Sequence, residues 1–308
     1  MYSGHEIGYK KRDLGPKVVS ALGSFPVVVI TGPRQVGKST FLRNEFGGFH
    51  YINLDDFSLL GQAREDPGSL WEGHDEVIID EVQKAPRTLE AVKLEVDRSK
   101  RKKRFLLSGS SNLLLMSKVT ESLAGRAIYL EMLPFTYREM KGRGGAPSKL
   151  VEIMRKDFRL DEKSARKEDP LPYILRGCMP PLLNLSELGD VLLWWESYVR
   201  TYLERDLREL SQIENLVDFR RLLGALALRT GSVMNQSALA RDTGISQPTV
   251  YRYIKLLEVS NLLVRVPPFT ASRSKRIVKS PKLYFIDPGL SAFLAGYHDM
   301  DSLHTARE

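Results

Sequence analysis

Short apolar runs alternate with segments of helical periodicity through the first 140 residues. Runs of strand length stand at residues 26–31, 50–54, 76–80, 104–108 and 127–130. Between them, helical patterns cover about 38–45, 86–99 and 112–123. The first run is apolar throughout, which is typical of a strand buried on both faces. Strands that alternate with helices predict an α/β fold with a parallel, doubly wound sheet and right-handed crossovers.

The pattern changes after residue 140. Residues 141–170 are first Gly-rich and then dense in both charge signs, which predicts a charged linker or a peripheral insertion. The next segment is helical, and we expect its aromatic residues to form core rather than a base-stacking surface: Trp194, Trp195, Tyr198 and Tyr202. We therefore divide the chain into an α/β core (1–140), a linker or insertion (141–170), a helical connector (171–215), a second small domain (216–290) and a tail (291–308).

The second small domain has the pattern of a winged helix-turn-helix. An apolar first helix contains Leu222, Leu223, Leu226 and Leu228, and a short helix follows at 236–243. After a turn at Gly244–Ser246, a helix at about 247–258 would bury Val250, Ile254 and Leu257. Two strands, at 262–266 and 282–286, would form the wing around the basic loop 273–276. Such a module places the second helix of its helix-turn-helix, here the helix at about 247–258, in a DNA groove.

Composition excludes several classes of protein. Charged residues make up 27% of the 308 residues and hydrophobic residues 42%, which argues against a disordered or fibrous chain. No run approaches 18 apolar residues, and the first residues lack the apolar core of a signal peptide. Cys178 is the single cysteine and cannot form an internal disulfide. We expect a cytoplasmic protein without a membrane segment.

Positive charge is concentrated in the second small domain. Residues 241–282 hold nine Lys or Arg against Asp242 and Glu258, within a chain of net charge +8. Such a patch suggests a polyanion such as duplex DNA, although a solvated basic face has the same composition. The candidate DNA contacts are Gln247, Thr249, Arg252, Lys255, Arg273, Lys275 and Arg276. A second basic run, at 98–104, lies between a helix and a strand, and we interpret it as a solvated turn.

A phosphate-binding loop follows the first strand. Residues 32–39 fit G-x-x-x-x-G-K-[ST] in the strand-to-helix context that this motif requires. Backbone N–H groups of such a loop and the following helix N-terminus bind phosphates, and Lys38 would reach the β and γ phosphates. Ser39 would ligate Mg²⁺. The candidate nucleotide contacts here are Gly32, Pro33, Arg34, Gln35, Val36, Gly37, Lys38, Ser39 and Thr40.

The third strand ends in the acidic pair Asp80 and Glu81. Asp80 would face the metal ion, and Glu81 could orient and deprotonate the attacking water. ATP hydrolysis needs both charge compensation at Mg²⁺ and a base near the nucleophile. The candidate catalytic residues are therefore Glu81 and Lys38, with Asp80 and Ser39 as metal ligands.

Each of the other polar residues at strand ends has two alternative interpretations. Ser110, or Asn112, could sense the γ phosphate or cap a helix. Asp55 and Asp56 could touch the edge of the site or form a turn or helix cap. Arg126 is a third catalytic candidate, facing the γ phosphate or a neighbouring subunit, with a structural salt bridge as the alternative.

These motifs resemble those of a prokaryotic family of AAA-type ATPases with a C-terminal domain of unknown function. The resemblance rests on residues 25–39, 79–86, 107–110, 122–126, 202–206, 239–244 and 282–289. It implies ATP and Mg²⁺ binding, with Lys38, Ser39, Asp80 and Glu81 in the roles above. Family members usually continue into a module that resembles a restriction-type nuclease. This chain ends at Glu308 as a fragment, a truncated form or a short member, and we expect no nuclease activity from it.

Two functions from different classes remain. The first is an Mg²⁺-dependent ATPase that couples its nucleotide state to a DNA-binding winged helix. The second is a non-hydrolysing ATP switch, or a protein-interaction module without DNA binding. Glu81 favours the first, because a pure switch does not need a carboxylate at that position. A homo-oligomer or a client protein is a further possible partner.

Overall fold

The computed structural model describes residues 8–109, 123–145, 168–206, 213–269 and 280–305. Its first half contains one five-stranded sheet in the order β2-β3-β4-β1-β5, and every neighbouring pair is parallel. This confirms the predicted parallel α/β core. The strands are β1 (Val27–Thr31), β2 (His50–Asn53), β3 (Glu76–Asp80), β4 (Arg104–Ser108) and β5 (Ala127–Glu131).

Both faces of this sheet are covered by helices, because successive residues of the apolar strands point to opposite sides. In β1, Val28 and Ile30 pack with side chains of α1 (Gly15–Ser24) and α2 (Lys38–Glu45). Val27 and Val29 pack on the other face, with side chains of α3 (Phe57–Glu65) and α4 (Arg87–Arg98). The core is therefore doubly wound, as predicted.

Helices α1 and α3 were not predicted from the sequence. Both helices are short. In α3 only Ala63 is buried, whereas most residues of β1 are buried. The helix predicted over 112–123 falls almost entirely outside the described residues, as do residues 146–167 of the predicted linker. A single helical turn, α5 (Tyr137–Met140), stands between these two ranges.

The predicted connector is helical and carries an aromatic core. It contains α6 (Leu171–Arg176), a 3₁₀ turn (Pro180–Asn184), α7 (Leu188–Tyr198) and a π-helical segment (Val199–Asp206). Trp195, Tyr198 and Tyr202 are buried, and Trp194 stacks on Tyr198 with ring centroids 5.2 Å apart. The prediction that these aromatics are core is confirmed.

After the connector, residues 213–269 and 280–287 of the described chain contain three helices and two strands. The helices are α8 (Leu216–Ala227), α9 (Gln236–Thr243) and α10 (Gln247–Val259), and the strands β6 (Leu263–Val266) and β7 (Lys282–Phe285) pair antiparallel. Gly244 turns the chain between α9 and α10 at φ +69°, and Ser246 caps α10. The prediction that Leu228 belongs to the apolar first helix is wrong, since Leu228 lies just beyond α8 and is 62% exposed. Two helices complete the described chain, α11 (Pro288–Leu294) and α12 (Met300–Thr305).

A close junction joins the connector to α11. The N–H of Cys178 donates to Asp287 Oδ2 at 2.8 Å, and the Cys178 carbonyl accepts the N–H of Phe135 at 2.9 Å. A Cβ at Gly289 would lie 2.5 Å from the Gly177 Cα, so this approach requires glycine. Burial raises the pKa of Asp287 to about 6. The segment that follows the α/β core is thereby anchored to the C-terminal part of the chain.

Across the described ranges, no helix combines the length and the apolarity needed to cross a membrane.

Candidate functional site

The loop between β1 and α2 has the backbone that its two glycines predict. Gly32 has φ +150°, and a Cβ there would lie 2.1 Å from the Met132 carbonyl oxygen. Gly37 has φ +87° and begins α2 as its N-cap, and Gln35 also has a positive φ of 64°. Loops with such left-handed residues before a helix N-terminus form anion-binding concavities. The predicted phosphate loop is therefore formed as a loop of this kind.

Lys38 is folded into this loop. Its Nζ donates to the Gly32 carbonyl at 3.0 Å and to the Pro33 carbonyl at 2.9 Å, and the residue is buried. Burial lowers the pKa of Lys38 to about 8, partly offset by the nearby carboxylates of Glu81 and Asp80. An anion in the loop would stabilise the ammonium form, as expected for a phosphate-binding lysine.

We predict that nucleotide affinity falls as the pH rises through about 8. Phosphates favour the charged Lys38, so its pKa rises on binding from about 8 in the free protein. Above that pH, binding therefore takes up a proton from the buffer. Affinity should be level below that pH and fall by up to about tenfold per pH unit above it. Fluorescent-ATP titrations across this range, with calorimetry in two buffers, measure both effects. Adenosine, which lacks phosphates, is the control. A phosphate-dependent affinity that stays level to high pH would exclude Lys38 as the phosphate ligand.

Asp80 is held from both neighbouring strands. It is 1% exposed at the end of β3, and its Oδ2 accepts the Tyr51 hydroxyl of β2 at 2.5 Å. The Ser108 hydroxyl of β4 donates to Oδ1, which also accepts the Glu81 N–H at 3.1 Å. Burial and the bond to Asp80 raise the pKa of Tyr51 to about 12, so the phenol stays a donor. Sequence reasoning missed Tyr51 and Ser108, because their contact with Asp80 depends on strand order and register.

Glu81 stands directly after the strand in an unusual backbone conformation. Its φ is +57°, in the left-handed region that non-glycine residues adopt rarely and that recurs at active sites. The Gln83 side-chain amide donates to Glu81 Oε2. Among the neighbouring charges, the Glu81 carboxylate does most to stabilise the ammonium form of Lys38. The carboxylate predicted as the base is thus oriented and lies close enough to the phosphate loop to influence it.

The residues present suit Mg²⁺ held mainly by water and phosphate. Ser39 stands at the start of α2 and Asp80 at the end of β3, and both offer oxygen ligands. Among the described residues, no group of three or more His, Cys, Asp or Glu side chains could hold a metal ion by itself. Mg²⁺ usually binds through one or two protein oxygens, substrate phosphates and several waters. The donor set therefore fits this ion.

A cavity of about 340 Å³ opens beside the phosphate loop. Its lining combines the start of α2 with aromatic and apolar residues from distant segments, among them Tyr9, Phe41, Phe135 and Pro180. Arg12 also lines it and is buried, donating to the Val36 carbonyl at 3.1 Å and to Glu139 Oε1 at 3.1 Å. No local sequence pattern predicted this cavity, because its walls come from segments far apart in the chain.

The remaining candidates near strand ends have mixed outcomes. Asp56 caps α3 through the N–H groups of Ser58 and Leu59, at 2.8 Å and 3.1 Å. Asp55 forms an ion pair with Lys84. Ser110 and Asn112 lie outside the described residues. For Asp56, the interpretation as a helix cap is therefore confirmed.

The structure contradicts a role for Arg126 at the γ phosphate of its own chain. Arg126 precedes β5, and its carbonyl accepts the N–H of Val27 at the amino end of β1. The phosphate loop lies at the opposite, carboxyl edge of the same parallel strands. The Arg126 guanidinium makes two 2.8 Å bonds to Asp97, which is the structural salt bridge. A role toward a neighbouring subunit stays a prediction.

The candidate DNA contacts on α10 are largely at the surface. Gln247, Arg252 and Lys255 are exposed, whereas Thr249 is half-buried and its hydroxyl lies 2.9 Å from that of Ser246. Arg252 forms an ion pair with Glu214 at 3.2 Å. As predicted, Val250, Ile254 and Leu257 are buried. The wing candidates Arg273, Lys275 and Arg276 lie outside the described residues.

Two family models match the chain. Residues 24–141 match the model of an AAA domain, and residues 167–301 match a domain of unknown function (DUF8612). An uncharacterized protein of Mycobacterium tuberculosis is 30% identical over 292 residues, which are 94% of this chain and 60% of that protein. An uncharacterized protein of Methanocaldococcus jannaschii is 22% identical over 304 residues, 92% of this chain and 65% of that protein. The chain thus spans less than two thirds of the length of either relative.

One solved structure shares the fold over nearly the whole chain. The Walker-type ATPase PABY2304 of Pyrococcus abyssi superposes with a TM-score of 0.57 at 17% identity, covering 94% of this chain and 99% of that one. The AAA domain followed by a C-terminal domain of unknown function agrees with the resemblance drawn from the sequence.

Proposed function

We propose that the chain is an Mg²⁺-dependent ATPase whose nucleotide state is coupled to its C-terminal half. The observation that carries the proposal is the convergence of Lys38, Asp80 and Glu81 at one edge of the sheet, with Lys38 inside a formed phosphate loop. Asp80 is buried and fixed by two hydroxyl donors, and Glu81 extends from the next position. The match of residues 24–141 to an AAA domain supports the same activity.

Each residue then has a defined part in hydrolysis. Lys38 and the loop N–H groups would bind the β and γ phosphates, and Ser39 and Asp80 would hold the metal ion. Bound Mg²⁺ would neutralise charge that develops on the phosphates. Glu81 accepts a proton from the attacking water at its carboxylate, while Gln83 restricts where that carboxylate lies. Preorganised charges of this kind supply most of the rate enhancement in phosphoryl transfer.

The cavity beside Gly37 is the proposed place for the nucleoside. It adjoins the phosphate loop, and its aromatic and apolar lining suits the faces of a base. Arg12 ties the N-terminal wall of this cavity to the loop through the Val36 carbonyl. The same contact would keep the base and phosphate subsites in a fixed relation.

The C-terminal helices and strands are the proposed winged helix-turn-helix, with duplex DNA as its partner. Helices α8, α9 and α10, the glycine turn and the antiparallel pair β6–β7 occur in the order that such a module needs. Exposed Gln247, Arg252 and Lys255 on α10 would contact the groove. The charge excess of residues 241–282 adds the electrostatic attraction.

A protein-interaction or lid role is the alternative for the C-terminal half. It is favoured by the 3₁₀ turn at 180–184, since a Cβ at Gly37 would lie 3.6 Å from Pro180 Cγ. A non-hydrolysing ATP switch remains the alternative for the core, and a second copy or a client protein the alternative partner. We place either form in the cytoplasm, where the Cys178 thiol would remain free.

Steady-state phosphate release with Mg²⁺ and ATP, with and without duplex DNA, tests the proposal. We expect turnover by the wild type, and loss of both nucleotide binding and turnover in Lys38→Ala, because the phosphate charge then has no lysine partner. Lys17→Ala, which removes an exposed lysine of α1, is the matched control. ATP binding without turnover would favour the switch, and no binding at all would reject both forms.

A further inference from the structure

Ser39 and Asp80, the two proposed metal-facing residues, belong to elements that are not neighbours. Ser39 is in α2, which follows β1, whereas Asp80 ends β3, and β4 lies between β1 and β3 in the sheet. The sheet sets the spacing of β1 and β3 through β4, but the position of α2 relative to the Asp80 side chain also depends on side-chain contacts.

A chain of side-chain contacts spans this gap through Tyr51. Ser39 and Arg43 are four residues apart in α2 and so share a face of that helix. The Arg43 guanidinium lies over the Tyr51 ring, 4.8 Å from its centroid. The Tyr51 hydroxyl then donates to Asp80 Oδ2 at 2.5 Å. The helix that carries Ser39 is thereby connected to the Asp80 carboxylate through protein side chains.

The second oxygen of Asp80 is held from the opposite side. Ser108, at the end of β4, donates to Oδ1. Tyr51 and Ser108 are on the two strands that flank β3, so the carboxylate is restrained from both directions. Partners that orient a metal-facing carboxylate in this way commonly change metal affinity by about 10- to 100-fold when they are removed.

We propose that Tyr51 is a positioning residue that sets the Mg²⁺ affinity of the nucleotide complex, by holding Asp80 in register with the Ser39 end of α2. This inference rests on the proposed function, since it concerns the metal of the same site. Tyr51 would therefore affect the affinity for the metal ion, whereas the phosphate loop binds the nucleotide itself. The ring lies under the Arg43 guanidinium, and the hydroxyl, which also interacts with Arg43, donates to Asp80.

The decisive variant is Tyr51→Phe, which keeps the ring over which Arg43 lies and removes only the hydroxyl. A fluorescent ATP analogue is titrated in EDTA and over a series of Mg²⁺ concentrations. We expect the Mg²⁺ concentration for half-maximal tight binding to rise by about 10- to 100-fold, with the metal-free affinity unchanged. Ser108→Ala should act in the same direction, because it removes the other hydroxyl donor.

Tyr173→Phe is the matched control. Its hydroxyl also donates to a carboxylate, Glu168 Oε2 at 3.0 Å, but in α6 outside the site. This variant should keep the wild-type Mg²⁺ dependence, and thermal unfolding should show that each variant folds. If Tyr51→Phe destabilises the fold, Ser108→Ala alone still reports on how Asp80 is held.

The outcomes separate this inference from the proposed function. A wild type that binds no ATP analogue at any Mg²⁺ concentration would reject the proposed function, and the inference with it. A wild type with Mg²⁺-dependent binding, matched by Tyr51→Phe and Ser108→Ala, would reject the inference alone. Equal loss of metal-free and metal-dependent binding in Tyr51→Phe would also reject it, because Tyr51 would then support the phosphate loop rather than the metal.

Discussion

Glu81→Gln is expected to bind ATP normally and to lose turnover by about 10² to 10⁴-fold, the usual contribution of a positioned general base. The amide keeps the size of the side chain but cannot accept the proton of the attacking water. Lys38 and the loop that binds phosphate are unaltered, so the nucleotide should remain bound without being hydrolysed. Phosphate release and fluorescent-nucleotide titration on the same preparation measure the two effects.

Glu76→Gln is the control for that experiment. Glu76 is exposed at the start of β3, so this variant makes the same chemical change at the opposite end of the same strand. It should hydrolyse ATP at the wild-type rate. Undiminished hydrolysis by Glu81→Gln would remove Glu81 from the role of base and leave the left-handed backbone at this position without a catalytic reason.

Binding to duplex DNA is expected to weaken steeply with salt, with log K falling by about 0.9 per unit of log salt for each phosphate neutralised. Joint replacement of Arg273, Lys275 and Arg276 by Ala should flatten this slope by up to about 2.7 on the same rule, for every DNA sequence. Arg252→Ala should instead reduce any sequence preference, because helix residues reach base edges. Fluorescence anisotropy over a salt series measures both quantities.

The chain offers a control with the same loss of charge. Arg98, Lys100 and Lys102 are exposed in the basic run before β4, at the amino edge of the sheet and outside the C-terminal half. Their joint replacement by Ala removes three charges and should leave the slope unchanged. A wild type without duplex affinity at low salt would show that the C-terminal half is an assembly or lid element. Its basic residues would then be solvated or face an acidic protein.

The sequence predicted what depends on local pattern. Strands β3 and β4 have the predicted bounds, because each is a continuous apolar run with polar residues at both ends. The phosphate loop and Asp80–Glu81 were found because their chemistry requires particular residue types at fixed spacing. Helix α10 was placed within one residue, because Ser246 and Pro248 mark its start and an apolar stripe marks its buried face.

What the sequence could not supply depends on strand order and on contacts between distant segments. The sequence pattern favoured Ser110 as the polar residue of the site. The structure instead brings Ser108 to Asp80, because β4 lies beside β3. Arg12 could not be distinguished from other basic residues near the N-terminus, yet it is buried against the phosphate loop. For Arg126 the salt-bridge alternative holds, and its partner Asp97 could not be predicted because the contact depends on how α4 packs beside the start of β5.

The junction at Gly177 and Gly289 bears on how the protein is made by the ribosome. The turn at 180–184 lies against the phosphate loop, and the backbone leading into it is held by Asp287 through Cys178. Asp287 is translated about 250 residues after Gly37, and at about 5–20 residues per second this takes on the order of ten to fifty seconds. A nascent chain therefore carries its phosphate loop through the translation of those residues before the wall beside that loop is anchored.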